Sequence, residues 1–193
     1  SYEAFCQEMG LSPDRKTIVF GSEGKLFPQD SEIAEILYEI IEEGGLPADC
    51  QLLIRPHYGH KDDVKKFTQL LGKPHVAIDL YNVESRGFKD AWDYSDTFTN
   101  RWINTLVHAA VMVNNRSSLS IDAAALDRPT VNIVFDGRVK LPYAKSARRM
   151  NEYDFYQEVL NTGGSRKVES REELKQALID YLNDPTADAK KRG

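Results

Sequence analysis

Three short polar stretches carry side chains that could do chemistry. The first is Arg116-Ser117-Ser118, with Asp122 four residues after Ser118. Two hydroxyls and a guanidinium beside the start of a helix suit a phosphate, because the first N–H groups of a helix are unpaired and partly positive. Asp122, about one turn inside, could accept hydrogen bonds from a ribose or glycerol diol. The second stretch is Gly21-Ser22-Glu23-Gly24, a flexible polar loop without the spacing of a dinucleotide fingerprint. The third is Arg55-Pro56-His57, continued by Tyr58-Gly59-His60. Arg and His there can meet a phosphate or act as acid and base. Each stretch also has a plain structural reading: an N-cap, a turn, a solvated loop.

The elements around these stretches must bring them together. Residues 111–137 read VMVNNRSSLSIDAAALDRPTVNIVFDG. Val111-Met112-Val113 is an apolar run of strand length, Ser117 and Ser118 stand where N-caps stand, and Arg128-Pro129 ends a short helix. Thr130 to Phe135 is rich in β-formers. A crossover helix implies that its two flanking strands are parallel. TIVFG at 17–21 and QLLI at 51–54 are further buried strands, followed directly by the second and third polar stretches. In an open parallel sheet, ligands sit beyond the carboxyl ends of the strands.

The rest of the chain repeats this alternation. Residues 1–12 form a lead-in helix stopped by Gly10. Asp30 to Glu43 carries an apolar stripe of Ile33, Ile36, Leu37, Ile40 and Ile41. Asp62 to Leu71 has the spacing of an amphipathic helix, and His75 to Ile78 that of a third strand. Residues 79–98 have no period and hold Tyr81, Trp92 and Tyr94, aromatics that could stack on a base or pack over a sheet edge. Thr99 to Ala110 is helical. Lys140 to Met150 is basic, Tyr153 to Leu160 helical, and 166–168 a last short strand. Ser170-Arg171-Glu172-Glu173 is a capping box opening a helix to about Leu182, and residues 186–193 form a polar tail expected to fray. Strands near 17, 51, 75, 111, 130 and 167 alternate with helices. The expectation is one α/β domain over 1–193, a Rossmann-like, doubly wound, mostly parallel sheet with helices on both faces.

Composition narrows the function classes. Hydrophobic residues make up 41% and charged residues 28%, the balance of a soluble globular domain. A net charge of −5 argues against nucleic-acid binding through a broad basic face. No apolar run approaches the roughly 18 residues of a membrane span. Cys6 and Cys50 are too few and too far apart for a zinc site or disulfide framework, and no signal peptide is visible at Ser1, so a reducing cytoplasm is expected.

With the pattern laid out, the chain resembles the C-terminal, donor-binding domain of a GT-B glycosyltransferase. It is most similar to bacterial CDP-glycerol glycerophosphotransferases and surface-carbohydrate glycosyltransferases. The resemblance lies in KTIVFGSEG, in QLLIRPH, in HAAVMVNNRSSLSIDAAALDRPTVNI, and in FDG with LPYAKSARR and NTGGSRKVESREELKQALIDYLND. The general form of the third motif is shared with nucleotide-sugar 2-epimerases. Related chains often read His-Pro after the Arg, where this one reads Pro-His, and carry His-Tyr near Tyr153, where this one reads Tyr-Asp-Phe-Tyr.

The resemblance implies a UDP-, GDP- or CDP-linked sugar or polyol as donor, used in surface polysaccharide synthesis. Ser117 and Ser118 would hold its diphosphate with Arg116 beside them, Gly21 and Ser22 would line it, and Asp122 would hold the ribose hydroxyls. Arg55 and His57 would face the leaving phosphate, His57 as the catalytic group. It implies no metal and no bound cofactor, since GT-B enzymes stabilise the leaving group with helix dipoles and basic side chains. It also implies an N-terminal acceptor domain for which 193 residues leave no room. The chain alone is therefore expected to bind donor weakly and not to turn over. A peripheral position at the inner membrane face would fit such a role. Half of a 2-epimerase and a non-catalytic α/β module are the alternatives.

Overall fold

A computed structural model describes residues 1–60, 62–81, 95–152 and 154–192. Six strands form one sheet, β1 (Lys16–Gly21), β2 (Cys50–Arg55), β3 (Val76–Ile78), β4 (Val111–Asn114), β5 (Thr130–Ile133) and β6 (Ser165–Val168), in the order β3-β2-β1-β4-β5-β6. Every neighbouring pair is parallel, with Ile18 beside Leu52 on one side and Val111 on the other. All six strands expected from the sequence are present.

Covered faces explain the apolar strands. Parallel sheets are buried on both sides, so their strands lack a polar face. Ile18 and Phe20 point into one core with Leu52, Ile54, Val111 and Val113. Into this core pack α2 (Asp30–Glu42) through Ile33 and Leu37, and α7 (Arg171–Asn183) through Leu174 and Leu178. Val19, Leu53 and Met112 point the other way, onto α1 (Tyr2–Met9), α3 (Asp96–His108) and α4 (Leu119–Ala125). The lead-in helix belongs to the fold: Phe5, Cys6 and Met9 are buried in this second core. The short α5 (Ala147–Asn151) and α6 (Asp154–Asn161) fill the connection from β5 to β6.

Three local expectations are corrected. Asp63–Leu70 is a 3-10 helix rather than an α-helix. Three residues per turn stack i on i+3, and the buried contacts follow that period, with Asp63 bonded to Lys66 and Phe67 and Leu70 both buried. Ser118 makes no side-chain cap; it is itself in helical conformation, at φ −58° and ψ −17°. The tail is anchored by a last helical turn, α8 (Ala189–Arg192). Arg192 is buried and bonds Asp127 Oδ1 at 2.9 Å and the carbonyls of Ala187 and Pro185. Ser170 caps α7 as its motif indicates, accepting from the Glu173 N–H at 3.1 Å. No helix among the described residues is long and apolar enough to cross a membrane.

Candidate functional site

Strand order fixes where a site belongs. The chain runs outward from β1 to β2 and β3, then returns to β4 and runs outward to β5 and β6. The switch lies between β1 and β4, the place where open parallel sheets bind their ligands, at the carboxyl edge. The loop after β1 holds Ser22 and Glu23; the turn after β4 holds Arg116 to Ser118. The two meet, since Ser117's hydroxyl and Arg116's charge both act on the Glu23 carboxyl.

The β4 turn is shaped from beneath. Arg116 sits at φ +39°, a left-handed conformation that needs support from its surroundings. Asn132 of β5 supplies it, accepting the Arg116 N–H on Oδ1 at 2.9 Å. The same oxygen accepts from the Tyr156 hydroxyl at 2.8 Å, and Tyr156 meets Ser120 Oγ at 3.0 Å. Ser120 in turn donates to Asn114 Oδ1 at 3.2 Å. Burial pushes the Tyr156 phenol up to about 12, so it remains a neutral donor. This network sets where Ser117 and Ser118 stand.

Above that floor the turn is open. Among the described residues, the N–H groups of Ser118 and Leu119 donate to no protein acceptor. Asp122 is half-buried, and its carboxylate makes no hydrogen bond or ion pair with another described residue. Burial alone raises its pKa above the ordinary aspartate value.

The β1–β2 side is closed. Ser22 is 5% exposed, and its Oγ lies 2.6 Å from Asp30 Oδ2 and 2.7 Å from Asp63 Oδ2. It also accepts from the Gly24 N–H at 2.9 Å. Lys66 Nζ binds Asp30 Oδ2 at 3.1 Å, Asp63 Oδ1 at 2.8 Å and the Gly24 carbonyl at 2.8 Å. A single hydroxyl proton cannot serve two carboxylates, and one lysine cannot neutralise the three acids gathered here. Burial pushes the Asp30 carboxyl up to about 6 against the pull of Lys66. Burial, with Asp30 nearby, pushes Glu23 up to about 8. The Ser22 hydroxyl is thus fully engaged within the protein. Gly21 is covered too: a Cβ there would stand 2.3 Å from Leu119 Cδ1, so any larger residue must displace the Leu119 side chain.

Arg55 is buried beside an acid and an aromatic ring. Its Nε lies 3.4 Å from Asp79 Oδ2, and its guanidinium sits 4.3 Å from the Trp102 ring centre. Arg101 shares Asp79 through Nη2 at 2.8 Å. Burial, partly offset by Asp79, lowers the Arg55 pKa to about 10, so it stays charged near neutrality. Its Nη1 is buried without a hydrogen-bond partner among the described residues. His57 donates its backbone N–H to Asp63 Oδ2 at 2.7 Å and accepts the Gly59 N–H on ring Nδ1 at 3.1 Å. Its ring proton therefore sits on Nε2. Burial, reinforced by His60, lowers its pKa to about 4.

The fold thus brings Arg116, Ser117 and Glu23 together at the β1–β4 switch, with Asp122 one turn along α4. It packs Ser22 against Asp30 and Asp63, and Arg55 against Asp79 and Trp102. Sequence reading passed over Glu23, Asn132, Tyr156 and Lys66; only Glu23 had a local signal, its place directly after β1 at the switch. Trp92 and Tyr94, with most of the 79–98 stretch, lie outside the described residues. Among the described residues, a cavity of about 900 Å³ lies beyond β5 and β6 among Asp136, Lys140, Arg148, Lys167 and Arg171, and a small one lies beside His57 and His60. Neither cavity is lined by Ser117 or Asp122.

Comparison with known proteins fixes the fold class. No protein-family model matches the chain, and no curated protein matches it. Solved structures do match, at full probability. The wall teichoic acid polymerase TagF superposes with a TM-score of 0.62 at 15% identity, over 99% of this chain and 40% of that one. The UDP-GlcNAc 2-epimerase of Methanocaldococcus jannaschii gives 0.58 at 15% identity, over 95% of this chain and 43% of that one. The E. coli ADP-heptose heptosyltransferase II gives 0.52 at 16% identity, over 98% and 52%. The chain therefore has the Rossmann-like fold of one half of a GT-B protein, and spans about half the length of these structures or less.

Proposed function

We propose that the chain is the donor-binding half of a GT-B enzyme that moves a glycosyl or glycerophosphoryl group from a nucleotide-linked donor. The N–H groups of Ser118 and Leu119 receive the diphosphate, the Ser117 hydroxyl joins them by leaving its bond with the Glu23 carboxyl, and Arg116 supplies positive charge. Asp122 accepts the hydroxyls of the ribose. The observation that carries this reading is Asp122 itself, a half-buried carboxylate without a partner among the described residues, one turn from unpaired N–H groups at the β1–β4 switch. A second domain supplies the acceptor.

His57 has a restricted role in this scheme. Its Nδ1 already accepts from Gly59, so Nε2–H is a donor. It acts by giving a hydrogen bond to the leaving phosphate, not by removing a proton. Two of the matching proteins support a nucleotide ligand: the M. jannaschii epimerase was crystallised with UDP-GlcNAc and UDP, and TagF was soaked with CDPG. The epimerase match keeps epimerisation as a second reading. Turnover of a nucleotide-sugar without acceptor, by the chain joined to its second domain, separates the two.

The direct test is thermal stability with UDP, CDP and GDP. One nucleotide is expected to raise the Tm, and Asp122→Ala to abolish the rise. A folded protein showing no shift with any of them at millimolar concentration would remove the donor reading.

A further inference from the structure

His60 lies outside the donor scheme, yet it joins two loops. Its Nδ1 accepts the Lys25 N–H, from the loop after β1, at 3.1 Å. Its ring stacks on His57 at 4.3 Å between centres, and His57 stacks on Tyr58 at 5.1 Å. Room for the ring comes from Gly24, at φ +63°, where a Cβ would fall 1.7 Å from His60 Nδ1. Both imidazoles thus use Nδ1 to accept a backbone N–H, His57 from Gly59 and His60 from Lys25. A proton added at either Nδ1 puts a donor against a donor. Adding two creates stacked cations.

We propose that His57 and His60 form a proton-sensitive clasp, with His60 as the positioning residue that holds His57 and the β1 loop only while both rings are neutral. The charged surroundings favour that state. Lys25 comes from the β1 loop, Lys66 and Asp63 from the 3-10 helix. The two lysines oppose a further positive charge; Asp63 and a backbone hydrogen bond at His57 favour one, and Asp62 and Asp79 line the same pocket as the two rings. Both histidines are displaced below their ordinary value, chiefly by burial, in agreement with the geometry. The clasp stands independently of the donor reading, because its parts are contacts within the chain.

NMR titration tests it, since the chain has only four histidines. The His57 and His60 ring signals are expected to titrate below about 6.5, each sensitive to the other's state. Protection of the Lys25 amide, corrected for intrinsic exchange, is expected to fall on the same titration, by up to about tenfold per pH unit. H60Q offers an amide oxygen that accepts without titrating. It is expected to keep Lys25 protected in acid and to raise the His57 pKa. If H60Q does not fold, H57N reads the same coupling as a rise in the His60 pKa. Independent titration of both rings near 6.5, with Lys25 protection constant, would overturn the clasp.

Discussion

The two sides of the carboxyl edge use the same residue types to opposite ends. On the β1–β2 side, Ser22, Asp30, Asp63 and Lys66 bond one another within 3.3 Å, and Ser22 is 5% exposed. On the β4 side, Asn132 and Tyr156 hold the turn from below, while Asp122 and the Ser118 and Leu119 N–H groups have no partner among the described residues. A polar cluster at a sheet edge is therefore not yet a site. What separates scaffold from site is whether the chain's own atoms complete the hydrogen bonds.

That contrast can be broken by substitution. Lys66→Met leaves Asp30 and Asp63 buried without their cation, and is expected to cost about 3–5 kcal/mol by urea unfolding. Asp122→Ala removes an unpaired group and is expected to stay within about 0.5 kcal/mol. Equal losses at both positions would erase the distinction. Tyr156→Phe deletes the hydroxyl beneath the turn, at an expected cost of about 1–2 kcal/mol.

Stability against pH sharpens the same comparison. Glu23 has a raised folded pKa of about 8, so its contribution is complete below its unfolded value and is lost as pH rises through about 8. Asp30 behaves likewise up to about 6. His57 has the opposite sense: its contribution is present above about 6.5 and is lost as pH falls towards about 4. Between about pH 6.5 and 8 the Glu23 contribution therefore governs the slope. Stability should fall with rising pH there, and E23Q should flatten it in urea denaturation at pH 6.5 and 8. The smallest effect separates two serines. Ser170→Ala removes a true cap and should cost about 1 kcal/mol. Ser118→Ala removes none and should change stability by less than about 0.5 kcal/mol.

Much of the fold was legible because strands buried on both faces are apolar throughout. VMV and TIVFG cannot be amphipathic helices, and their alternation with helices leaves a parallel sheet as the outcome. The β4 turn was legible for a similar reason, since a polar break between a strand and a helix falls at the carboxyl edge of the sheet. The roles of Gly21, Ser22 and Arg55 were not. Each depends on a partner distant in sequence: Leu119 over Gly21, Asp63 and Lys66 on Ser22, Trp102 and Asp79 on Arg55. The 3-10 geometry of Asp63–Leu70 was hidden likewise, because Val64, Phe67 and Leu70 fit either period.

The central claim is that the edge has one open side, at the Ser117 turn. Backbone amide NMR during titration with UDP, CDP and GDP tests it most directly. The account predicts that one nucleotide moves the Ser118 and Leu119 amides, leaves the Lys66 network in place, and loses its effect in Asp122→Ala. Shifts centred on Ser22 and Lys66, or on the Lys140 and Lys167 cavity with the Ser117 turn unmoved, would contradict it.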